Sequence, residues 1–136
     1  MDGSILSHVS IGSNKLEQAL NFYDQVLAVL GISKKHDIVI EEKIVARAYG
    51  KAFPEFWVQT PGDDKAANCG NGSHFGFIAA SKAEVHEFYD IAIKKGAICV
   101  GPPGPRPHYG EPYYGCFVYD LDGHKIEAVF WDEDTT

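Results

Sequence analysis

Two short motifs recur along the chain at one constant spacing, and this repeat constrains the fold more than any other feature. The dipeptide Ser7-His8 recurs as Ser73-His74, 66 residues further on. Residues 22–24 (Phe-Tyr-Asp) recur as residues 88–90 at the same spacing of 66. Because the spacing is the same for both motifs, the two segments that carry them keep their relative positions in both copies. The sequence therefore predicts one structural unit present twice, with the copies paired around a pseudo-twofold axis.

The length of the chain decides how the two copies share their core. A chain of 136 residues suffices for one compact domain with a real core, but not for two independent domains. We therefore predict a single domain across 1–136, with module one at 4–60 and module two at 73–131. Residues 61–72 are polar and glycine-rich, which is typical of a connection between copies. Residues 132–136 form an acidic tail.

The first copy has the pattern βαβββ. Residues 5–11 alternate large apolar side chains with small or polar ones, which predicts a half-buried strand with His8 and Ser10 on one face. An amphipathic helix follows, with Ser13 or Asn14 and Glu17 as a predicted capping box. Gly31 is predicted to end this helix. Three further strands are predicted, at 33–39, 44–49 and 55–60.

The second copy repeats this order. A strand starting at His74 is followed by a helix, for which Ser81 and Glu84 form a predicted capping box. A short strand at 97–100 leads into residues 101–113, which hold five of the seven prolines and are predicted to form a binding loop. The copy ends in a hairpin of two strands, 116–119 and 125–131, joined by the turn Asp-Leu-Asp-Gly.

Composition excludes some classes of function and favours one location. A net charge of −7, with only twelve Lys and Arg, disfavours a nucleic-acid surface. No apolar run reaches the roughly 18 residues that a transmembrane helix needs, so no membrane partner is expected. The N-terminal residues lack the pattern of a signal peptide, which indicates a cytoplasmic protein. Three cysteines without a CxxC spacing are typical of reduced thiols.

Three potential metal ligands fall on predicted strands: His8, His74 and Glu127. A carboxylate between apolar neighbours on the last strand is costly to bury without a cation partner. A twofold axis can bring both imidazoles together, and two His with one carboxylate suit Fe, Mn, Ni or Zn as the divalent ion. Alternatively, both histidines are hydrogen-bonded structural residues and Glu127 pairs with a lysine or arginine. Residues alone leave both interpretations open.

Nearly the whole chain resembles the vicinal oxygen chelate superfamily, which includes glyoxalase I, bleomycin-resistance proteins, fosfomycin-resistance enzymes and extradiol dioxygenases. The resemblance rests on residues 7–11 and 19–23, on Gly-Ser-His-Phe-Gly-Phe at 72–77, and above all on the D-x-D-G-x-x-I-E motif at 120–127. It implies an α+β fold in which two paired βαβββ modules form a cup-shaped mixed sheet with helices outside. It also implies a divalent metal held by His8, His74 and Glu127, and a homodimer.

The chain departs from glyoxalase I at a fourth ligand, a carboxylate on the last strand of the first module. Trp57 falls at this position, and Gln59 lies two residues on, facing the same way. Trp57 cannot bind a metal, and that carboxylate helps to move the substrate proton in glyoxalase I. The resemblance therefore implies a three-ligand site, without support for glyoxalase I activity itself.

The proline-rich segment supplies further candidates for substrate binding. Arg106, His108, Tyr109 and Tyr113 put a planar cation and aromatic side chains where the mouth of the cup would be, which suits a small ligand with a carboxylate or phosphate. Alternatively, Arg106 is a solvated surface charge. The residues predicted to bind substrate are Trp57, Gln59, Arg106, His108, Tyr109 and Tyr113.

Two classes of function remain. The first is a glyoxalase-like, metal-dependent enzyme, of lyase, isomerase or dioxygenase type, acting on a small oxygenated metabolite, either anionic or neutral. The second is a metal-free protein of the bleomycin-resistance type that sequesters a small molecule. The combination of His8, His74 and Glu127 favours the enzyme. A structural or regulatory homodimer without a ligand is a weaker third hypothesis.

Overall fold

The computed structural model describes residues 3–132, so residues 133–136 of the predicted tail lie outside the described residues. The helices and strands follow in the order β1 (Val9–Gly12), α1 (Leu16–Ala28), β2 (Ser33–Ile40), β3 (Lys43–Gly50), β4 (Phe56–Gln59), β5 (His74–Ile78), α2 (Lys82–Lys94), β6 (Ile98–Pro105), a 3₁₀ turn (Pro107–Tyr109), β7 (Tyr113–Tyr119) and β8 (Lys125–Trp131). Between residues 3 and 132, neither helix is long and apolar enough to cross a membrane.

The structure contains two four-stranded mixed sheets built on the same plan. One has the strand order β1-β4-β3-β2 and the other β5-β8-β7-β6. In each, the first strand of the copy pairs in parallel with the last, and the other pairs are antiparallel. The two helices also begin and end 66 residues apart. The predicted α+β fold with two βαβββ units is thus confirmed, and both sheets are open.

One hydrophobic core joins the two copies. Each helix buries its apolar stripe against its own sheet, and residues of both copies belong to the same buried cluster. Phe56 of β4 meets Phe77 of β5 edge to face, with ring centroids 5.0 Å apart. Tyr23 of α1 and Phe88 of α2 are both completely buried. A second, smaller buried cluster, of Tyr113, Phe117 and Val129, lies within the second copy.

The Asp-Leu-Asp-Gly turn of the second copy accepts hydrogen bonds from the residues just before α1. Ser13 donates a hydrogen bond of 2.6 Å to Asp122, whose other oxygen accepts from the backbone N–H of Asn14 at 2.9 Å. His124, which directly follows this turn, is buried, with Nε2 2.7 Å from the carbonyl oxygen of Gly12. The most specific motif of the sequence therefore holds the two copies together as well as carrying Glu127.

These contacts explain an error at the start of α1. The N-cap of this helix is Lys15, without a side-chain cap, because Ser13 and Asn14 are engaged elsewhere. The capping box of α2 forms as predicted: Ser81 accepts from the N–H of Glu84, and Glu84 accepts from the N–H of residue 80. A favourable local sequence predicts a helix N-cap correctly only where no tertiary contact engages the same side chains.

Three strand boundaries differ from the sequence expectations, and one of them is the start of β7 at Tyr113 rather than at residue 116. The first strand begins at Val9 rather than residue 5, and Ile5 is 94% exposed. Strand β6 extends to Pro105, so part of the expected loop is an edge strand. Proline is tolerated there because an edge strand need not donate on its outer side.

Candidate functional site

Two of the predicted metal ligands meet on one face of the second sheet. The parallel pairing of β5 with β8 sets Gly76 opposite Glu127 and Lys125 opposite His74, so that all four face the same side. His74 Nε2 lies 3.3 Å from Glu127 Oε1. A Cβ on Gly76 would come within 3.0 Å of that oxygen, so the absent side chain leaves room for the carboxylate. We call this side of the second sheet the site face, defined by His74, Tyr113, Phe117, Lys125 and Glu127.

Tyr113 holds the other oxygen of Glu127. Its hydroxyl donates a 2.6 Å hydrogen bond to Oε2, and both side chains are buried. The tyrosine oxygen would lie 2.5 Å from a Cβ on Gly115, so the ring crosses the strand where only glycine fits. Burial, followed by the hydrogen bond from Tyr113 to Glu127, raises the pKa of Tyr113. Tyr113 therefore stays protonated and fixes the carboxylate beside His74.

His8 does not join this pair within one chain. Its Nδ1 lies 2.9 Å from the Ser7 hydroxyl, and the side chain is exposed just before β1. Among residues 3–132, no group of three His, Cys, Asp or Glu side chains could hold a metal ion. The set of His8, His74 and Glu127 thus stays a prediction, and within one chain only His74 and Glu127 are found in contact among the described residues.

Trp57 and Gln59 lie on β4 in the first sheet. Register pairs Ser10 with Trp57 and Gly12 with Gln59, so both side chains face the side of β1 to which Ser10 belongs. Trp57 is half-buried, with its ring centroid 6.1 Å from that of His36. No contact between these residues and the site face is found in the described chain.

Arg106 is engaged by its own segment. The guanidinium donates to the carbonyl oxygens of Pro102, Gly104 and Pro105, at 2.7, 3.0 and 3.3 Å. It also lies over the Phe117 ring, with 5.9 Å from Cζ to the centroid. Arg106 therefore braces the proline-rich segment against the site face, with much of its donor capacity already used.

His108 and Tyr109 form an exposed aromatic pair on the 3₁₀ turn, with centroids 4.1 Å apart. Tyr109 reaches the site face, where its ring lies 5.0 Å from that of Tyr113 and 6.4 Å from that of Phe117. The proline-rich segment thus adds an aromatic wall beside Glu127.

The sequence interpretation missed Lys125 and Phe117. Phe117 pairs with Glu127 across β7 and β8, and its ring lies 6.0 Å from that of His74. Lys125 Nζ lies 4.8 Å from the centroid of Phe117. Period-two alternation from Glu127 places Lys125 on the same face, so this signal was available in the sequence.

Two open cavities meet at His74. One, of about 480 Å³, is lined by both His8 and His74 together with Leu6, Phe77 and Ile78. The other, of about 680 Å³, is lined by His74 and Lys125 together with residues 69–73 and the two aspartates of the hairpin turn, Asp120 and Asp122. Volumes of this order suit a small ligand.

Comparisons with known proteins identify the family. The sequence profile of the Glyoxalase/Bleomycin resistance protein/Dioxygenase superfamily matches residues 5–128. The chain belongs to this superfamily. A crystal structure of a glyoxalase/bleomycin resistance protein from Albidiferax ferrireducens T118 has 33% identity and a TM-score of 0.80, over 93% of this chain and 98% of that chain. The family resemblance and the cup-like α+β fold expected from it are thereby confirmed.

Solved structures with lower sequence identity share the fold. A lactoylglutathione lyase from Agrobacterium tumefaciens has 17% identity and a TM-score of 0.64, over 96% of this chain and 95% of that chain. The fosfomycin resistance protein FosX from Listeria monocytogenes has 17% identity and a TM-score of 0.63, over 93% of each chain. A search of functionally curated proteins found no match.

Proposed function

We propose that the protein is a metal-dependent enzyme acting on a small oxygenated metabolite, by lyase, isomerase or dioxygenase chemistry. The observation that carries this proposal is the contact between His74 Nε2 and Glu127 Oε1 on the open site face. An imidazole and a buried carboxylate at this distance suit the binding of one divalent cation between them. Membership of a superfamily that contains metal-dependent enzymes supports it further.

The donor set fits Fe, Mn, Ni or Zn, with His74 and Glu127 as ligands from one chain. A metal bound there would polarise a carbonyl or hydroxyl oxygen of the substrate. Tyr113 keeps the carboxylate oriented through its hydrogen bond to Oε2. Tyr109 and Phe117 supply an apolar wall that keeps water from one side of the site.

The third ligand, His8, is proposed to come from a second copy of the chain. The shared core of one chain uses one face of each sheet, and His8 stands apart from the pair. The cavity beside His8 and His74 is flanked by apolar side chains that water reaches: Leu6 is 63% exposed and Ile78 69%. A homodimer would cover them and bring one His8 to the His74–Glu127 pair of its partner.

Mixing two inactive variants tests this arrangement. His8→Ala and His74→Ala are each expected to lose metal binding, measured by elemental analysis after reconstitution with Fe, Mn, Ni and Zn. In a mixed dimer, one site combines the intact His8 of one protomer with the intact His74 and Glu127 of the other. Co-refolding equal amounts should therefore restore about a quarter of the wild-type sites.

The controls separate the possible failures. Each variant refolded alone should bind no metal, and sedimentation should show a dimer. If the mixture stays empty while both variants dimerise, the three ligands do not meet across the interface. If the wild-type protein takes up none of the four metals, the enzyme proposal itself fails.

A second candidate, a metal-free protein that sequesters a small molecule, is favoured by a different observation. Within the described residues of one chain, no three-residue metal cluster is formed. Aromatic rings also line the site face: Tyr113 meets Tyr109 at 5.0 Å and Trp131 at 5.4 Å. Tight binding of a flat aromatic ligand, with no metal after reconstitution, would support this candidate over the enzyme.

A further inference from the structure

Lys125 occupies a position that none of the predicted site residues fills. It lies directly opposite His74 in the pairing of β5 with β8, and two residues before Glu127 on the same face. Its ammonium sits 4.8 Å above the centroid of Phe117, whose ring also contacts that of His74. The lysine stem is half-buried, and Lys125 lies on the same face of the sheet as the candidate metal ligands His74 and Glu127.

This ammonium makes no ion pair with any carboxylate among residues 3–132. The two aspartates that line the same cavity as Lys125 are engaged by other partners. Asp120 accepts from the Tyr23 hydroxyl and from backbone N–H groups, and Asp122 accepts from Ser13 and Asn14. Lys125 thus keeps all three of its donors for a ligand.

Arg106 is the other cation at Phe117, but its guanidinium already donates to three carbonyl oxygens of its own segment. Lys125, by contrast, lines the cavity of about 680 Å³ together with His74. Lys125 is the one lysine or arginine among the residues that line this cavity, and both aspartates of the lining already accept the hydrogen bonds described above. An ammonium group without a carboxylate partner is suited to binding an anionic group of a ligand.

We propose that Lys125 is the anion-binding residue of the site, and that the ligand is a small organic acid. Its carboxylate would contact Lys125, and a neighbouring hydroxyl or carbonyl oxygen would point towards His74 and Glu127. This inference rests on the proposed function, since it takes the His74–Glu127 pair as the reacting end of the site. It names the chemical class of the substrate, which that function leaves open.

Glycolate and its neutral amide, glycolamide, are suitable probes because they share a hydroxyl and a neighbouring carbonyl oxygen and differ in charge. Both are titrated by NMR into the wild-type protein and Lys125→Met, which keeps an apolar side chain over Phe117. Lys82→Met is the matched control, because Lys82 Nζ also lies over an aromatic ring, 5.2 Å from the centroid of Tyr114, away from the site face. Each titration is run with metal-free and with metal-loaded protein.

The wild-type protein and Lys82→Met are expected to bind glycolate about tenfold more tightly than glycolamide, and Lys125→Met to lose this preference. The inference is overturned if the wild-type protein shows no preference in either arm. It is also overturned if Lys125→Met keeps the preference or if Lys82→Met loses it too. Absence of metal uptake would defeat the proposed enzyme, while the metal-free titration would still decide the role of Lys125.

Discussion

The two copies place a histidine at equivalent positions, yet only one copy has a carboxylate beside it. In the second copy, Gly76 of β5 pairs with Glu127 of β8. The equivalent residue of the first copy, Ser10 of β1, pairs with Trp57 of β4. The same strand pairing thus presents a carboxylate in one sheet and an indole ring in the other.

This difference shows what the repeat does and does not provide. It provides two copies of a strand pair whose register fixes which side chains are neighbours. The chemistry depends on the residue at one cross-strand position and on the space around it. Glu127 has that space because Gly76 lacks a side chain and because Tyr113 crosses the strand at Gly115.

Exchanging the key residue of each copy should have the largest effect. Glu127→Gln keeps the shape of the side chain but removes its charge, and should lower metal affinity by about 100-fold or more. Trp57→Phe, at the equivalent position, should leave metal affinity unchanged. Competition with a chromophoric chelator measures both, and a similar loss in the two variants would show that the sheets do not differ as proposed.

Breaking the junction between the copies should have the next largest effect, on stability. Asp122→Ala removes the acceptor for the Ser13 hydroxyl and for the Asn14 N–H. Because these hydrogen bonds go to a charged group, their loss should cost about 2 to 3 kcal/mol in the free energy of unfolding. Urea denaturation measures this, with Asp63→Ala in the connection as control. If Asp122→Ala destabilises the protein less than Asp63→Ala does, the hydrophobic core alone holds the two copies together.

The sequence was sufficient to predict features that repeat and insufficient for those that join the copies. Both helices and the βαβββ order were predicted correctly, because each copy has its own hydrophobic periodicity and the 66-residue spacing relates the same elements in the two copies. The burial of His124 depends on the carbonyl of Gly12, which is 112 residues away and has no local signal. The separation of His8 from His74 within one chain depends on how the copies pack, which periodicity cannot report.

The first copy also has a charged network of its own, and its pH dependence can be tested. Arg47 Nε donates to Asp37 at 2.7 Å, and its other nitrogens donate to Asp37 and Asp24. The hydrogen bond from Arg47, the largest cause, holds the pKa of Asp37 below its ordinary value. Because the pKa of Asp37 is lower in the folded state than in the unfolded state, its ionised form stabilises the folded protein. This stabilisation is complete above the unfolded-state pKa of about 4 and is lost as pH falls through the folded-state pKa.

Asp37→Asn should therefore cost about 1.5 kcal/mol at pH 6, a value that allows for partial exposure of the pair. The difference from the wild-type protein should shrink as pH falls below about 4 and vanish once pH is below the lowered folded-state pKa of Asp37. Denaturant titrations across this range measure it. A difference that is constant with pH would show that the variant perturbs packing and not this ion pair.

The two helix starts give the smallest and most local comparison. Ser81 caps α2, whereas the equivalent Lys15 starts α1 without a side-chain cap. Ser81→Ala should cost about 1 kcal/mol, because the N–H of Glu84 loses its acceptor, and Lys15→Ala should be near neutral. Thermal unfolding of the two variants measures the contrast. If the two variants lose the same stability, water satisfies the N–H groups at the start of α2 as well as Ser81 does. The copies would then differ in sequence at this position but not in the stability of the helix start.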